Sequence, residues 1–313
     1  MQDFQRYPDL TVVTFAVILI LGLATVGYWL LQWLRPSQNL PKIGYRLQFD
    51  WIVIGFFVLS ITVSRNYLLF FIAFISFLAL KEFLSITPTR RADRRVLFFA
   101  YLAVPIQFTL IWNGWFEAFL AFILLYIFIF LALIMVVIGE TQGFLKAYSS
   151  LNWGLILTVC SLGHLAYLLV LPAENNPQAG GAGLFLFLVI LTQLSDVAQF
   201  VFGKMFTQSW LKLKVSTTRN WASLVGSMGT TALLAWLAAP LLSPLSAAEA
   251  IGAGLLVAVG SFTGYTTMSA IKRDLQLKDR GTMTPGQGGV LNRIDSLIFT
   301  APLFFYWVIY LYY

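Results

Sequence analysis

The chain has 313 residues, 59% of them hydrophobic and only 11% charged, against roughly 45–50% and 25% in soluble domains. No soluble globule hides that much apolar surface, so lipid is its main solvent. The net charge of +7 is therefore weighed against a bilayer surface, and no nucleic-acid partner is expected.

A hydrocarbon core of about 30 Å takes roughly 17 to 25 apolar residues per helix. Ten runs qualify: 10–34, 47–63, 67–84, 95–111, 115–138, 147–172, 181–203, 221–242, 247–270 and 296–313. They predict an all-α, polytopic integral membrane protein of about nine or ten transmembrane helices, forming one continuous membrane domain. The first run is too long and too uniformly apolar for a signal-peptide core, and no small-residue cleavage pattern precedes Arg35-Pro36, so it reads as a retained helix. The second and third nearly touch and predict a helical hairpin around Ser64-Arg65-Asn66. The sixth carries Cys160 and His164. A lone cysteine excludes a disulfide within the chain and a cysteine-based metal centre, and the histidine is expected to be packed rather than a ligand. The turn-rich "PAENNPQAGGAG" then separates residues 1–175, lipid-compatible helices with short connections, from 176–313, where polar residues enter the helices themselves.

If the runs alternate sides, the loops 35–46, 85–94, 139–146, 204–220 and 271–295 share one side. With their flanking helix ends they hold all of the 20 Lys and Arg residues except Arg6 and Arg65. The positive-inside rule makes that side cytoplasmic, with both termini opposite. Basic loops also draw anionic lipid, by about 1 kcal/mol per residue near the surface.

An ionisable group within a span is costly and marks a functional candidate. Asp196 is the clearest, with Gln193 and Gln199 at i−3 and i+3 on its helix face. The following loop places Ser216, Thr217 and Thr218 where they can cap the eighth helix, beside Lys212, Lys214 and Arg219. A helix N-terminus with nearby cations suits a phosphate. In the ninth run Tyr265, Ser269, Lys272 and Gln276 share a face. A turn at Pro285-Gly286-Gln287-Gly288-Gly289 comes next, where missing Cβ atoms let backbone amides approach a phosphate. Asn292, Asp295 and Ser296 then share a face at the head of the tenth helix. Cations, a glycine turn and a carboxylate in this order suit a magnesium-bound polyphosphate.

These residues resemble the phosphatidate cytidylyltransferases, whose signature reads Gly-Asp, Ser-x-x-Lys-Arg, Lys-Asp, Pro-Gly-His-Gly-Gly, then Leu-Asp-Arg-x-Asp-Ser. Here the matching residues are Gly264-Tyr265, Ser269 with Lys272-Arg273, Lys278-Asp279, the 285–289 turn, and Leu291-Asn292-Arg293 with Asp295-Ser296. "SDVAQFVFGK" and "KVSTTRNWASLVGS" are similar to two upstream family elements, and "FISFLALKEF" at 74–83 looks like part of the N-terminal half.

The resemblance implies transfer of a cytidylyl group from CTP to phosphatidic acid, giving CDP-diacylglycerol and pyrophosphate. It assigns Lys272, Arg273, Lys278, Asp279 and Arg293 to catalysis. Asp196, Ser216, Arg219, Gly286, Gly288 and Gly289 go to nucleotide and phosphate binding, and Asp295 with a weakened Asn292 to Mg2+, alongside a second cation. A homodimer is also implied, though no run marks its interface. The departures fall on polar positions: Tyr265 and Asn292 replace aspartates, Gln287 a histidine and Ala222 a glutamate. Two readings therefore stay open: an active enzyme with an altered metal shell, and a degenerate member that binds phosphatidate, CDP-diacylglycerol or nucleotide, or partners another lipid enzyme. A transporter would need paired interrupted helices in two similar halves, which are lacking.

Overall fold

An apolar run in lipid finds no water for its backbone, so it closes its hydrogen bonds internally as a helix. The computed structural model describes residues 7–34, 41–87, 94–206, 219–275 and 289–313. Among them ten helices appear in chain order: α1 (Pro8–Leu34), α2 (Pro41–Thr62), α3 (Asn66–Ile86), α4 (Arg94–Trp112), α5 (Phe116–Ile138), α6 (Phe144–Val170), α7 (Gly180–Met205), α8 (Trp221–Leu242), α9 (Ala247–Asp274) and α10 (Leu297–Tyr312). Eight are long and apolar enough to cross a membrane, and the apolar parts of α2 and α10 are shorter. The protein is a polytopic, all-α membrane protein, as its composition requires. The expected hairpin is present: α2 and α3 are joined by residues 63–65 and held by Phe56 stacked on Phe71 at 4.2 Å.

The helices differ in what they face. α1 turns Phe15, Leu19, Leu23, Val26 and Trp33 outward and packs chiefly on α2 and α8 among the described residues. α5 and α6 each carry a π-helical turn, Phe122–Ile127 and Ile156–Cys160, and these turns pack on one another. His164 of α6 is packed as expected. Its Nδ1 donates to the Cys160 carbonyl at 2.8 Å, and its ring lies among those of Phe119, Phe305 and Tyr306.

In the C-terminal half the spacing of small residues sets the packing. Ser223, Ser227, Thr231, Ala235 and Ala239 recur every fourth residue along α8 and are all buried. With little side chain in the way, α7 and α9 pack closely on α8, which is how membrane helices gain contact when both solvents are equally apolar. Gly254 on α9 shows how tight the fit is: a Cβ there would stand 2.7 Å from the Thr231 carbonyl oxygen. α10 closes the group against α9 and α6. The end of the bundle holding the N-termini of α7 and α9 is tied by Asn176, whose amide donates to the Leu242 carbonyl, and by Tyr312, whose hydroxyl lies 2.6 Å from the Glu249 carboxylate. The opposite end holds the polar residues singled out in the sequence.

Candidate functional site

A carboxylate at the level of the helices is tolerated only when its charge is met and its lone pairs are filled. Asp196 of α7 meets both conditions on one oxygen. Its Oδ1 accepts from Arg219 Nη2 at 2.7 Å, from Ser261 Oγ of α9 at 2.6 Å and from Ser296 Oγ at 2.7 Å. Four chain segments thus converge on a single atom. The guanidinium is 7% exposed and also donates from Nη1 to the Ser261 carbonyl at 2.9 Å. It lies 3.8 Å above the centre of the Tyr265 ring, a cation–π contact in a desolvated setting. Gln199, one turn beyond Asp196, donates to Ser195 and Ser261 hydroxyls and to the Ala258 carbonyl, fixing the serine that holds Asp196.

The loop into α8 is closed differently from expectation. The cap is Asn220: its Oδ1 accepts from the Ser223 amide at 2.8 Å, while its Nδ2 donates to the Phe206 carbonyl at the end of α7. One side chain therefore finishes two helices, and the residue before it, Arg219, is delivered to Asp196. Ser216, Thr217 and Thr218, expected as caps, lie outside the described residues and are not adjacent to the helix start. Ala222 is half-buried in the first turn of α8.

Across the site, Gly264 lets the backbone before α10 press against α9, since a Cβ there would stand 2.2 Å from the Asp295 carbonyl oxygen. That approach buries Asp295, 6% exposed, whose Oδ1 accepts from the Ser296 amide at 2.8 Å. Burial first, and then the neighbouring charge of Asp196, push its carboxyl up to about 6, against the pull of Arg219 and Lys272. Lys272, near the end of α9, donates to Asn292 Oδ1. Arg273 beside it is exposed, and Arg293 lies half-buried 5.9 Å over the ring of Phe49.

One sequence expectation is corrected. α10 starts at Leu297, so Asn292 and Asp295 do not share a helical face. Asn292 sits exposed in the 3₁₀ turn Val290–Asn292, whereas Asp295 and Ser296 are buried. Lys278, Asp279, Gly286, Gln287 and Gly288 lie outside the described residues. Two contributors went unnoticed in the sequence: Ser261, hidden among small packing residues, and Glu82 of α3, whose carboxylate accepts from the Leu291 amide at 3.0 Å.

The donor set is sparse for a hard cation held by protein alone. Among the described residues no three His, Cys, Asp or Glu side chains cluster, and the Asn292 oxygen is taken by Lys272. Asp295 is different: its carboxyl is buried, carries a raised proton affinity and stands beside a second carboxylate. Such a group fits one divalent ion that brings further oxygen ligands with it, as a triphosphate does.

The fold and this end of the bundle define a polytopic membrane protein with a buried carboxylate–guanidinium centre ringed by serines and rimmed by cations. Sequence comparison gives the family. Residues 44–311 match the model of the cytidylyltransferase family, and the chain belongs to it. It is 40% identical over 291 residues to the uncharacterised YnbB of Escherichia coli K12, covering 93% of this chain and 95% of that one. A phosphatidate cytidylyltransferase of Synechocystis is 50% identical over 58 residues, 18% of this chain and 20% of its own. That of Pseudomonas aeruginosa is 29% identical over 157 residues, 49% of this chain and 55% of its own. Against these two enzymes the matched segments thus cover a fifth to about half of their length.

Proposed function

We propose that this protein transfers the cytidylyl group of CTP to phosphatidic acid at the cytoplasmic face of the membrane, giving CDP-diacylglycerol and pyrophosphate. A phosphate oxygen of phosphatidate attacks the α-phosphorus of CTP, the bond from that phosphorus to the bridging oxygen breaks, and pyrophosphate leaves. Little covalent chemistry falls to the protein in such a displacement, which depends on positioning and charge neutralisation. Lys272, Arg273, Lys278 and Arg293 supply the positive charge that holds the phosphates. Arg219, ion-paired with Asp196 and stacked on Tyr265, forms a rigid polar wall behind them that needs no reorganisation as charge moves. Asp295 would hold Mg2+, which would supply charge neutralisation to the bound triphosphate.

The observation that carries this reading is the convergence of Arg219, Ser261 and Ser296 on Asp196 Oδ1 in a chain of the cytidylyltransferase family. Purified protein in detergent with CTP, Mg2+ and phosphatidic acid should form CDP-diacylglycerol and lose that turnover with EDTA. Absence of product under conditions that sustain another family member would sink the proposal.

A second reading, a binding protein without turnover, is favoured by two contacts. Tyr265 stands under Arg219 where the resemblance expects an aspartate, and Lys272 occupies the Asn292 oxygen. On that reading CTP or CDP-diacylglycerol binds without product, and turnover appears only after Ala222→Glu, Tyr265→Asp, Gln287→His and Asn292→Asp are combined.

A further inference from the structure

Glu82 lies in the last turn and a half of α3, in the N-terminal half, yet its carboxylate reaches the segment that leads into α10. Oε2 accepts the Leu291 amide at 3.0 Å. The same carboxylate fills the space beside Gly289: a Cβ built there would stand 1.7 Å from Oε1 and 2.4 Å from Oε2. The backbone of Gly289, at φ −62°, is open to any residue. A glycine is needed there to admit the carboxylate and not to make the turn.

The segment after Gly289 is held from several sides. The Asn292 amide donates to the Gly289 carbonyl at 3.1 Å and the Arg293 amide to the Val290 carbonyl at 2.9 Å, closing the 3₁₀ turn. Leu291 and Ile294 are buried, at 1% and 2% exposure. From the other side Lys272 of α9 bonds the Asn292 side chain. The turn is therefore clamped between α3 and α9, three residues before Asp295 and four before the serine that holds Asp196. A carboxylate on an amide is a charge-assisted bond, about twice as strong as a neutral one.

We propose that Glu82 is a positioning residue: by seating its carboxylate against Gly289 and the Leu291 amide it fixes the 289–296 segment, and through it Lys272, Asn292 and Asp295, in the arrangement that receives the nucleotide triphosphate. Glu82 itself touches no substrate. The inference rests on the phosphate-binding reading of those residues, and its test is arranged to separate the two.

The full chain in detergent is measured for CTP affinity with Mg2+ as Glu82→Ala, Glu82→Gln, Gly289→Ala and the Glu82→Ala/Gly289→Ala double variant. Loss of one charge-assisted bond corresponds to about 10-fold weaker binding for Glu82→Ala. Gly289→Ala should match it, because the new Cβ evicts the same carboxylate. Since both remove one contact, the double variant should be no more than about 2-fold worse than either single one. Glu82→Gln keeps an accepting oxygen and should stay within about 3-fold of the parent. Losses that multiply to about 100-fold in the double variant, or single variants that bind as the parent does, overturn the proposal.

Hydrogen exchange of the 289–296 peptide reads the clamp without any ligand. Exchange should accelerate about 10-fold in Glu82→Ala and Gly289→Ala but not in Glu82→Gln. If the parent binds no CTP, the functional reading has failed, and exchange alone decides the clamp: unchanged exchange overturns it. Should Glu82→Ala fail to fold, Gly289→Ala against Glu82→Gln makes the same comparison.

Discussion

In α1–α6 several buried polar side chains end on backbone. Thr14 donates to the Leu10 carbonyl at 2.7 Å, Ser76 to that of Thr158 at 3.1 Å, and Gln107 to that of Phe119 at 3.2 Å. In α7–α10 some do the same, as Ser227 and Ser243 do on the Leu224 and Ala239 carbonyls, but a linked set ends on one another: Gln199 on Ser261, Ser261 and Ser296 on Asp196, Thr192 on Thr300. The first pattern uses one carbonyl at a time, within the same helix for Thr14 and on a neighbouring helix for Ser76 and Gln107, and involves no charged group. The second ties together residues 65 and 100 positions apart through one carboxylate. Such a network is costly to build and fails as a unit when a member is lost. Glu82 of α3 excepted, the N-terminal half is thus a scaffold that tolerates polarity, and the C-terminal half is organised around it.

The largest effect should come from removing the shared acceptor. Asp196→Ala leaves the buried Arg219 guanidinium without its counter-charge, a loss of about 3–5 kcal/mol. The variant should melt well below the parent in detergent and show no CDP-diacylglycerol formation. Asp196→Asn keeps the shape and one acceptor but not the charge, and should recover folding before it recovers chemistry. Next in size comes Arg219→Lys. It keeps the charge but not the two-pronged bond to Asp196 and the Ser261 carbonyl, and it loses the flat stack on Tyr265. Turnover should fall roughly 10- to 100-fold with a smaller change in melting temperature, because an ammonium and a guanidinium are not equivalent at a forked site. If Arg219→Lys is silent, the convergence on Asp196 is packing and not a working centre.

Much of this contrast was legible in the chain, for physical reasons that differ by residue. The ten apolar runs gave the helices because lipid leaves no other way to satisfy a backbone. Asp196 stood out because a carboxylate within a span has to be explained. Its partners were harder to see. Ser261 reads as one more small residue among the alanines and glycines that let α9 pack on α8, and its hydroxyl matters only once Asp196 lies 2.6 Å away. Arg219 reads as a loop cation, and its pairing depends on Asn220 joining the ends of α7 and α8. The cap was expected at Ser216–Thr218 because those residues cap well in isolation. Asn220 serves instead because the Phe206 carbonyl is within its reach, a tertiary fact with no local signal. Glu82, beside Lys81 at a helix end, looks like ordinary interfacial polarity until Gly289 is brought against it.

A smaller effect separates Asp295 from Asp196 within the same site. Asp295 holds its proton more tightly in the folded protein than in the unfolded chain, its carboxyl raised from 3.8 to about 6 chiefly by burial. The folded state therefore binds the proton better, and the stabilisation this gives at low pH is lost as pH rises from about 4 through 6. Asp295→Asn should remove that slope and raise stability at pH 7 by roughly 1–3 kcal/mol, while weakening the Mg2+ dependence of nucleotide binding. Melting temperatures of parent and variant between pH 4 and 7.5, with nucleotide binding measured across a Mg2+ series, check both. A variant whose melting temperature keeps the parent's dependence on pH between 4 and 6 would refute the assignment.

The smallest effect, and the sharpest check on the contrast, lies in the scaffold. Gln107 of α4 is fully buried, its amide donating to the Phe119 carbonyl while its own oxygen has no partner among the described residues. Nearby on α6, His164 leaves Nε2 equally unpartnered among them. Gln107→Leu gives up one hydrogen bond to a carbonyl but also removes an acceptor left without a donor in an apolar setting. These contributions oppose each other, each of order 1 kcal/mol. The variant should melt within about 1 kcal/mol of the parent and turn over within about 2-fold of it. Polar groups that end on backbone can be traded for hydrocarbon, whereas those that end on a shared carboxylate cannot. If Gln107→Leu instead lowers turnover by about 10-fold or more at unchanged stability, the core of α4–α6 joins Glu82 of α3 in shaping the working centre and the contrast drawn between the two halves is wrong.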